Sequence, residues 1–298
     1  MRSLFERLER ILSFDPGQRG LLGWLPSPEI ERAAELLKSA EDILIVTGFP
    51  IMGMGIGETD GPVGAASLAK ACFMAGKKAY IVTDSYSSDI VKACLRGVMA
   101  ENCPVYVLDI DKGESGCVKL VRRLKPSLIV AIERPGKGHD GHFHNMHGNI
   151  IDNMVADTDA LLKAGIPTIA IGDGGNELGM GNYYDIIRER VPSGAVIGAR
   201  ETSDAALVCG VSNWWGWGLA AVLSGLYGKD CLTSADEEYG ALRLMVQAGG
   251  VDGVLKKQIM SVDGIELGGI SEIHGRIKEA IGLYFEESLG QNLVANVI

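Results

Sequence analysis

Short apolar runs at 43–47, 79–83, 105–109, 127–132 and 168–171 constrain this chain more than any other feature. Each is rich in Ile, Val and Leu and lacks polar alternation, which is how a strand reads when both of its faces are buried. Between the runs, apolar residues recur at helical spacing, predicting helices at 62–75, 88–99, 115–124 and 151–164. Strand, loop and helix in alternation predict an α/β fold of three layers, a mostly parallel sheet with helices on both faces.

The two ends are less regular. Residues 1–40 read as a helical arm, two helices around a turn punctuated by Pro and Gly from Phe14 to Pro28. Residues 41–298 read as the α/β catalytic domain. Its last third suggests strands at 195–199 and 205–209, then an apolar helix opened by Trp214-Trp215-Gly216-Trp217, a helix at 236–247 and a closing helix at 273–283.

The 298 residues fit roughly one large core. With 28 Lys and Arg against 38 Asp and Glu, the net charge is −10. An acidic chain without a dense basic run is a poor partner for a phosphate backbone, so nucleic acid is not expected. The uncharged stretch 205–228 is broken by Ser212, Asn213 and glycines, and the N-terminus has no long apolar run. No membrane partner or secretory signal is expected, and the cytoplasm is the default location. The six cysteines show no Cys-x-x-Cys spacing and read as buried free thiols. The arm and the Trp cluster leave room for a homo-oligomer.

Three loops carry the candidate chemistry. Residues 133–148 hold four of the five histidines: His139, His142, His144 and His147. Packing does not demand that density, and strand-end loops are where open α/β sheets bind ligands. Glu133 stands at the strand end, a controlled position for a base or a metal ligand. Arg134 and Lys137 can neutralise a substrate carboxylate.

The second loop is 172–181. Its glycines, Gly174 and Gly175 among them, open backbone N–H groups to a ligand. Asp173, Asn176 and Glu177 offer oxygen donors suited to Mg²⁺ or Mn²⁺.

The third runs from Gly48 to Pro62. It lacks the dinucleotide fingerprint and Walker A, so no nucleotide is expected. Gly48 and Thr59 suit a substrate lid, and Glu58 and Asp60 can bind an amine. Asn213, at the start of the Trp helix, is placed to reach the same site. Asp84 is a weaker candidate that suits a helix cap equally well.

Taken together, Thr47-Gly48-Phe49, 57–62, Glu133-Arg134-Pro135-Gly136 and 172–181 resemble the D-glutamate cyclase family, whose members include stand-alone bacterial proteins. The resemblance implies a lyase that converts D-glutamate, a small acidic amino acid, to 5-oxo-D-proline and water with a divalent cation, Mn²⁺ or Mg²⁺. By the chemistry of the residues themselves, rather than from the resemblance, Glu133, Asp173, Asn176 and Glu177 are expected to hold the cation. Arg134 clamps one carboxylate, and one of the four histidines moves the proton. Two alternatives use the same loops: a metal-dependent hydrolase or lyase for another small amino or hydroxy acid, and a non-catalytic ligand-binding or assembly protein.

Overall fold

The computed structural model describes residues 1–26 and 28–295. Ser27, within the expected arm turn, and the last three residues of the expected catalytic domain lie outside the described residues. Six strands form one sheet: β1 (Asp42–Thr47), β2 (Lys78–Asp84), β3 (Val105–Leu108), β4 (Leu128–Ile132), β5 (Thr168–Gly172) and β6 (Ala205–Val208). Their spatial order is β3-β2-β1-β4-β5-β6 and every pairing is parallel. The predicted three-layer α/β fold is what the chain adopts.

Alternate residues of each strand serve opposite faces. Ile43 and Ile45 of β1 join the larger core. There they pack with α3 (Pro62–Met74), α4 (Ser88–Gly97), α9 (Ser212–Tyr227), α10 (Ala235–Gln247) and α11 (Leu267–Ala295). Leu44 and Val46 face the other way, toward α5 (Gly113–Leu124) and α6 (Asp159–Leu162). Ala170 and Ala206 continue that second face under α7 (Tyr184–Arg190) and α8 (Gly194–Ile197). Burial on both sides is why the strands read as unbroken apolar runs. The N-terminal helices α1 (Arg2–Leu12) and α2 (Ile30–Ser39) pack on α9. The Trp214, Trp215 and Trp217 side chains are core. All six cysteines are free and buried. No helix of the described residues is long and apolar enough to cross a membrane.

Three expectations are corrected. The run at 195–199 is not a strand but contains the short helix α8, whose Gly194 packs so tightly on the Ile187 carbonyl that a Cβ would lie 2.0 Å from it. A five-residue apolar run cannot by itself separate strand from buried helix. The expected helix at 151–164 is two short turns, Asp152–Met154 and α6, with Val155 extended between them. There Arg134 takes the Ala156 carbonyl, which a continuous helix would have kept for itself, and the Thr158 hydroxyl. The closing helix begins at Leu267 rather than 273 and runs on to Ala295.

The order of strands matters most for function. After β1 the chain builds outward to β2 and β3, then returns to lay β4 against the other side of β1. The connections therefore diverge at the carboxyl ends of β1 and β4. That leaves a crevice, the place where open α/β sheets bind ligands.

Candidate active site

β1 delivers Thr47 and Gly48 to this crevice. Gly48 has φ +107°, and a Cβ there would lie 2.5 Å from Ser87 Cβ, so only glycine fits. β4 delivers Glu133, a non-glycine residue at φ +44°. Such a backbone is costly and persists only when its surroundings enforce it. Here the Glu133 N–H donates to Ile171 O at 3.2 Å, and its carbonyl accepts from Gly48 N–H at 3.2 Å. The Ser212 hydroxyl donates to Glu133 Oε2 at 2.6 Å. β5 delivers Gly172 and Asp173.

Asp60 arrives from the loop before α3. It accepts the N–H groups of Ser212 and Asn213, each at 2.8 Å, and so caps the first turn of α9 from outside the helix. The positive end of α9 thus faces the carboxylates. Asp60, Glu133 and Asp173 are all buried, and each presents an oxygen so that the set lies within 4.8 Å of one another.

Burial pushes all three carboxyls upward, Asp60 to about 7. Neighbouring carboxylates add to the effect, chiefly Glu177 for Glu133 and Asp263 for Asp60. Glu58 behaves likewise, from burial first and then Asp263. Asp173 has no hydrogen-bond donor among the described residues. Its ion contact is the Arg19 guanidinium. Hard oxygen donors in excess of nearby positive charge fit a divalent cation such as Mg²⁺ or Mn²⁺. Above the set lies a cavity of about 450 Å³, whose walls include Arg19, Phe49, Glu58, Met146, His147 and Asp263.

A family described as D-glutamate cyclase-like, C-terminal, matches residues 8–277. The chain belongs to this family. It is also 33% identical over 237 residues to the human protein named D-glutamate cyclase, mitochondrial. That match covers 74% of this chain and 38% of the human protein, so the chain corresponds to well under half of that relative's length.

Within the family frame, the expected site residues separate sharply. Of the expected metal ligands, Glu133 and Asp173 converge, joined by Asp60 in place of Asn176 and Glu177. Glu177 instead folds back on its own loop. Its Oε1 accepts from Gly174 N–H and its Oε2 from Gly175 N–H, both at 2.7 Å. The glycine N–H groups expected to be open to a ligand are therefore filled by the chain's own carboxylate. Asn176 Nδ2 donates to the His144 carbonyl at 2.9 Å.

Of the four clustered histidines, only His147 lines the cavity. His139 stacks on Tyr184, ring centroids 3.9 Å apart. His142 Nδ1 pairs with Asp152 at 2.6 Å, and that hydrogen bond raises its pKa. His144 is buried, with Nε2 2.9 Å from Asp140 and Nδ1 3.2 Å from Gly148 O. These three are occupied by partners of their own.

Arg134 is fully buried. It donates to Asp84 at 2.6 Å and to Gly48 O at 3.1 Å, as well as to Ala156 and Thr158. It braces the crevice from beneath, with four of its five N–H groups engaged by the protein. Lys137 pairs with Asp157 beside a different cavity. Thr59 donates to Ser261 O, and Asn213 ties Gly64 to Thr59. Both are braces too. Glu58 does line the cavity.

Among the charged cavity residues, Arg19, Lys256 and Asp263 were missed. Asp263 sits at φ +52° before Gly264 at φ +78°, in the two-residue turn joining Ser261–Val262 to Ile265–Glu266. Asp-Gly between apolar residues is a hairpin signal in the sequence, though it does not tell where the turn points. Arg19 carries no local signal at all.

Proposed function

We propose that this chain is a lyase that converts D-glutamate to 5-oxo-D-proline and water with the help of a divalent cation. The observation that carries the reading is the convergence of Asp60, Glu133 and Asp173 on one another, with Glu133 and Asp173 also lining the cavity, in a chain of this family. Those three carboxylates would hold the cation. Once bound, it would supply Lewis-acid polarisation of a carboxyl oxygen.

The chain's own groups account for the remainder. Ring closure forms one C–N bond and breaks one C–O bond. Of the three ammonium protons, one stays on the amide and two leave with oxygen as water, so no co-reactant is required. His147, which lines the cavity, would take a proton from the ammonium and return it to the departing oxygen. Phe49, Ile51 and Met146 line the same cavity and limit bulk water, which favours condensation over the reverse hydrolysis. Glu58, on the wall, offers an acceptor for the substrate amine.

The test is incubation of the purified chain with D-glutamate and Mn²⁺, with and without EDTA, followed by mass spectrometry. A product lighter by one water, lost on chelation, is expected. Turnover of a different amino or hydroxy acid, with D-glutamate untouched, would overturn the substrate assignment. Ligand binding without turnover of any acid would overturn the enzyme reading itself.

A further inference from the structure

Arg19 comes from the segment between α1 and α2, a strap laid across the carboxyl edge of the sheet. The strap is anchored at several points. Leu21 is buried with Tyr183, Ile187 and Val191, and Arg190 lies over the Trp24 ring at 3.7 Å from its centroid. Phe14 stacks on Trp214. Gly20, at φ +92°, leaves no room for a Cβ against Arg190 O, 2.9 Å away. Between these anchors the chain drives Arg19 inward. Its guanidinium contacts Asp173 and donates to Asp263 Oδ2 at 2.8 Å. Asp173 is buried and the Asp263 side chain is only 5% exposed, and Arg19 is the one cation among the described residues that forms an ion pair with either.

Two demands therefore fall on one oxygen set. Asp173 belongs to the trio that fits a divalent cation, yet its charge is matched by Arg19. A guanidinium and a metal ion cannot occupy the same face of one carboxylate. A guanidinium released from Asp173 but still tethered through Asp263 would point its fork into the cavity, and that fork matches a carboxylate bidentately.

We propose that Arg19 is an exchangeable counter-charge. It neutralises Asp173 when no cation is bound, and it anchors the substrate's carboxylate once the cation has claimed Asp173. The first half stands on the geometry alone. The second rests on the proposed reading of the site, with an acidic amino acid as substrate.

The test starts with Mn²⁺ alone, by isothermal titration calorimetry on the full chain and on Arg19→Gln and Arg19→Lys. Removing a positive charge from an acidic site strengthens cation binding in any case, so Arg19→Lys is decisive. It keeps the charge and loses the fork. Arg19→Gln is expected to bind Mn²⁺ at least about tenfold more tightly than the wild type, and Arg19→Lys severalfold more tightly. Equal or weaker binding by Arg19→Lys overturns the competition, and this variant decides alone if Arg19→Gln does not fold. At saturating Mn²⁺, Arg19→Gln is then expected to raise KM for D-glutamate at least about tenfold, with kcat changed much less. An unchanged KM overturns the anchoring role. A wild type with no D-glutamate turnover would sink the proposed reaction and the anchoring with it, while the calorimetry still decides the competition.

Discussion

The histidine loop at 133–148 and the acidic crevice beside it are built from equally reactive side chains, yet they do opposite things with them. In the loop, His139, His142 and His144 each have a partner of their own: a Tyr ring, Asp152, and Asp140 with a carbonyl. In the crevice, Asp60, Glu133 and Asp173 are buried at close quarters, with one arginine, Arg19, paired to Asp173. The first arrangement is already satisfied. The second pairs three carboxyls with one guanidinium and a few neutral donors, which leaves room for a cation. Burying a charge without adequate compensation is expensive, so a fold that does it keeps a use for it. Unmet demand, rather than the density of ionisable residues, sets the crevice apart from the loop.

The largest test of that contrast is Asp173→Asn. It removes a carboxylate from the trio, and turnover is expected to fall about 10⁴-fold, in line with the several kcal/mol a Lewis acid supplies. Mn²⁺ affinity, measured by calorimetry, should fall with it. If activity survives, the crevice is not the reactive region.

Next comes Arg134→Ala, which probes a brace rather than a reactant. It strands buried Asp84, and loss of one partner of a buried pair costs about 3–5 kcal/mol. Denaturant unfolding should show that loss. A variant that folds normally but has lost only substrate affinity would return Arg134 to the binding role expected from sequence.

The histidines sharpen the comparison further. His147→Ala is expected to lower kcat about 10²-fold, the lower range for a general acid–base group. His139→Ala and His142→Ala should stay within about threefold. Equal effects at all of them would erase the distinction between satisfied and available imidazoles.

A smaller version of the contrast lies in the helical layer. His274 is buried against Trp217, its Nε2 has no hydrogen-bond partner among the described residues, and burial lowers its pKa to about 4. Between pH 6.5 and about 4 the unfolded chain binds a proton there that the folded chain refuses. Its contribution to stability is therefore lost as pH falls through that window. At pH 5.5, one unit below the unfolded value, the loss is about 1.4 kcal/mol. His274→Gln should flatten that part of the stability profile, and an unchanged slope would refute the assignment.

Much of this was legible from residue order. The strands were readable because burial on both faces leaves an unbroken apolar signature. Glu133 and Asp173 were readable because they follow those runs directly, which puts them at the carboxyl edge. The roles of Arg134 and Glu177 were not readable. Nothing local distinguishes an arginine that faces a ligand from one enclosed by Asp84, Gly48, Ala156 and Thr158. Likewise, a carboxylate two to four residues from a glycine turn can either bind a cation or close the turn.

The sequence by itself determined the layered α/β architecture and the strand-end acids, because these follow from periodicity and chain-local position, and the family through the resemblance of its loop motifs. Tertiary structure alone decided which acids meet, which histidine looks inward, and that Arg19 and Asp263 belong to the cavity at all. Those residues are separated by more than two hundred positions, and nothing but the return of β4 to the side of β1 and the closing of the strap brings their charges within reach of one another.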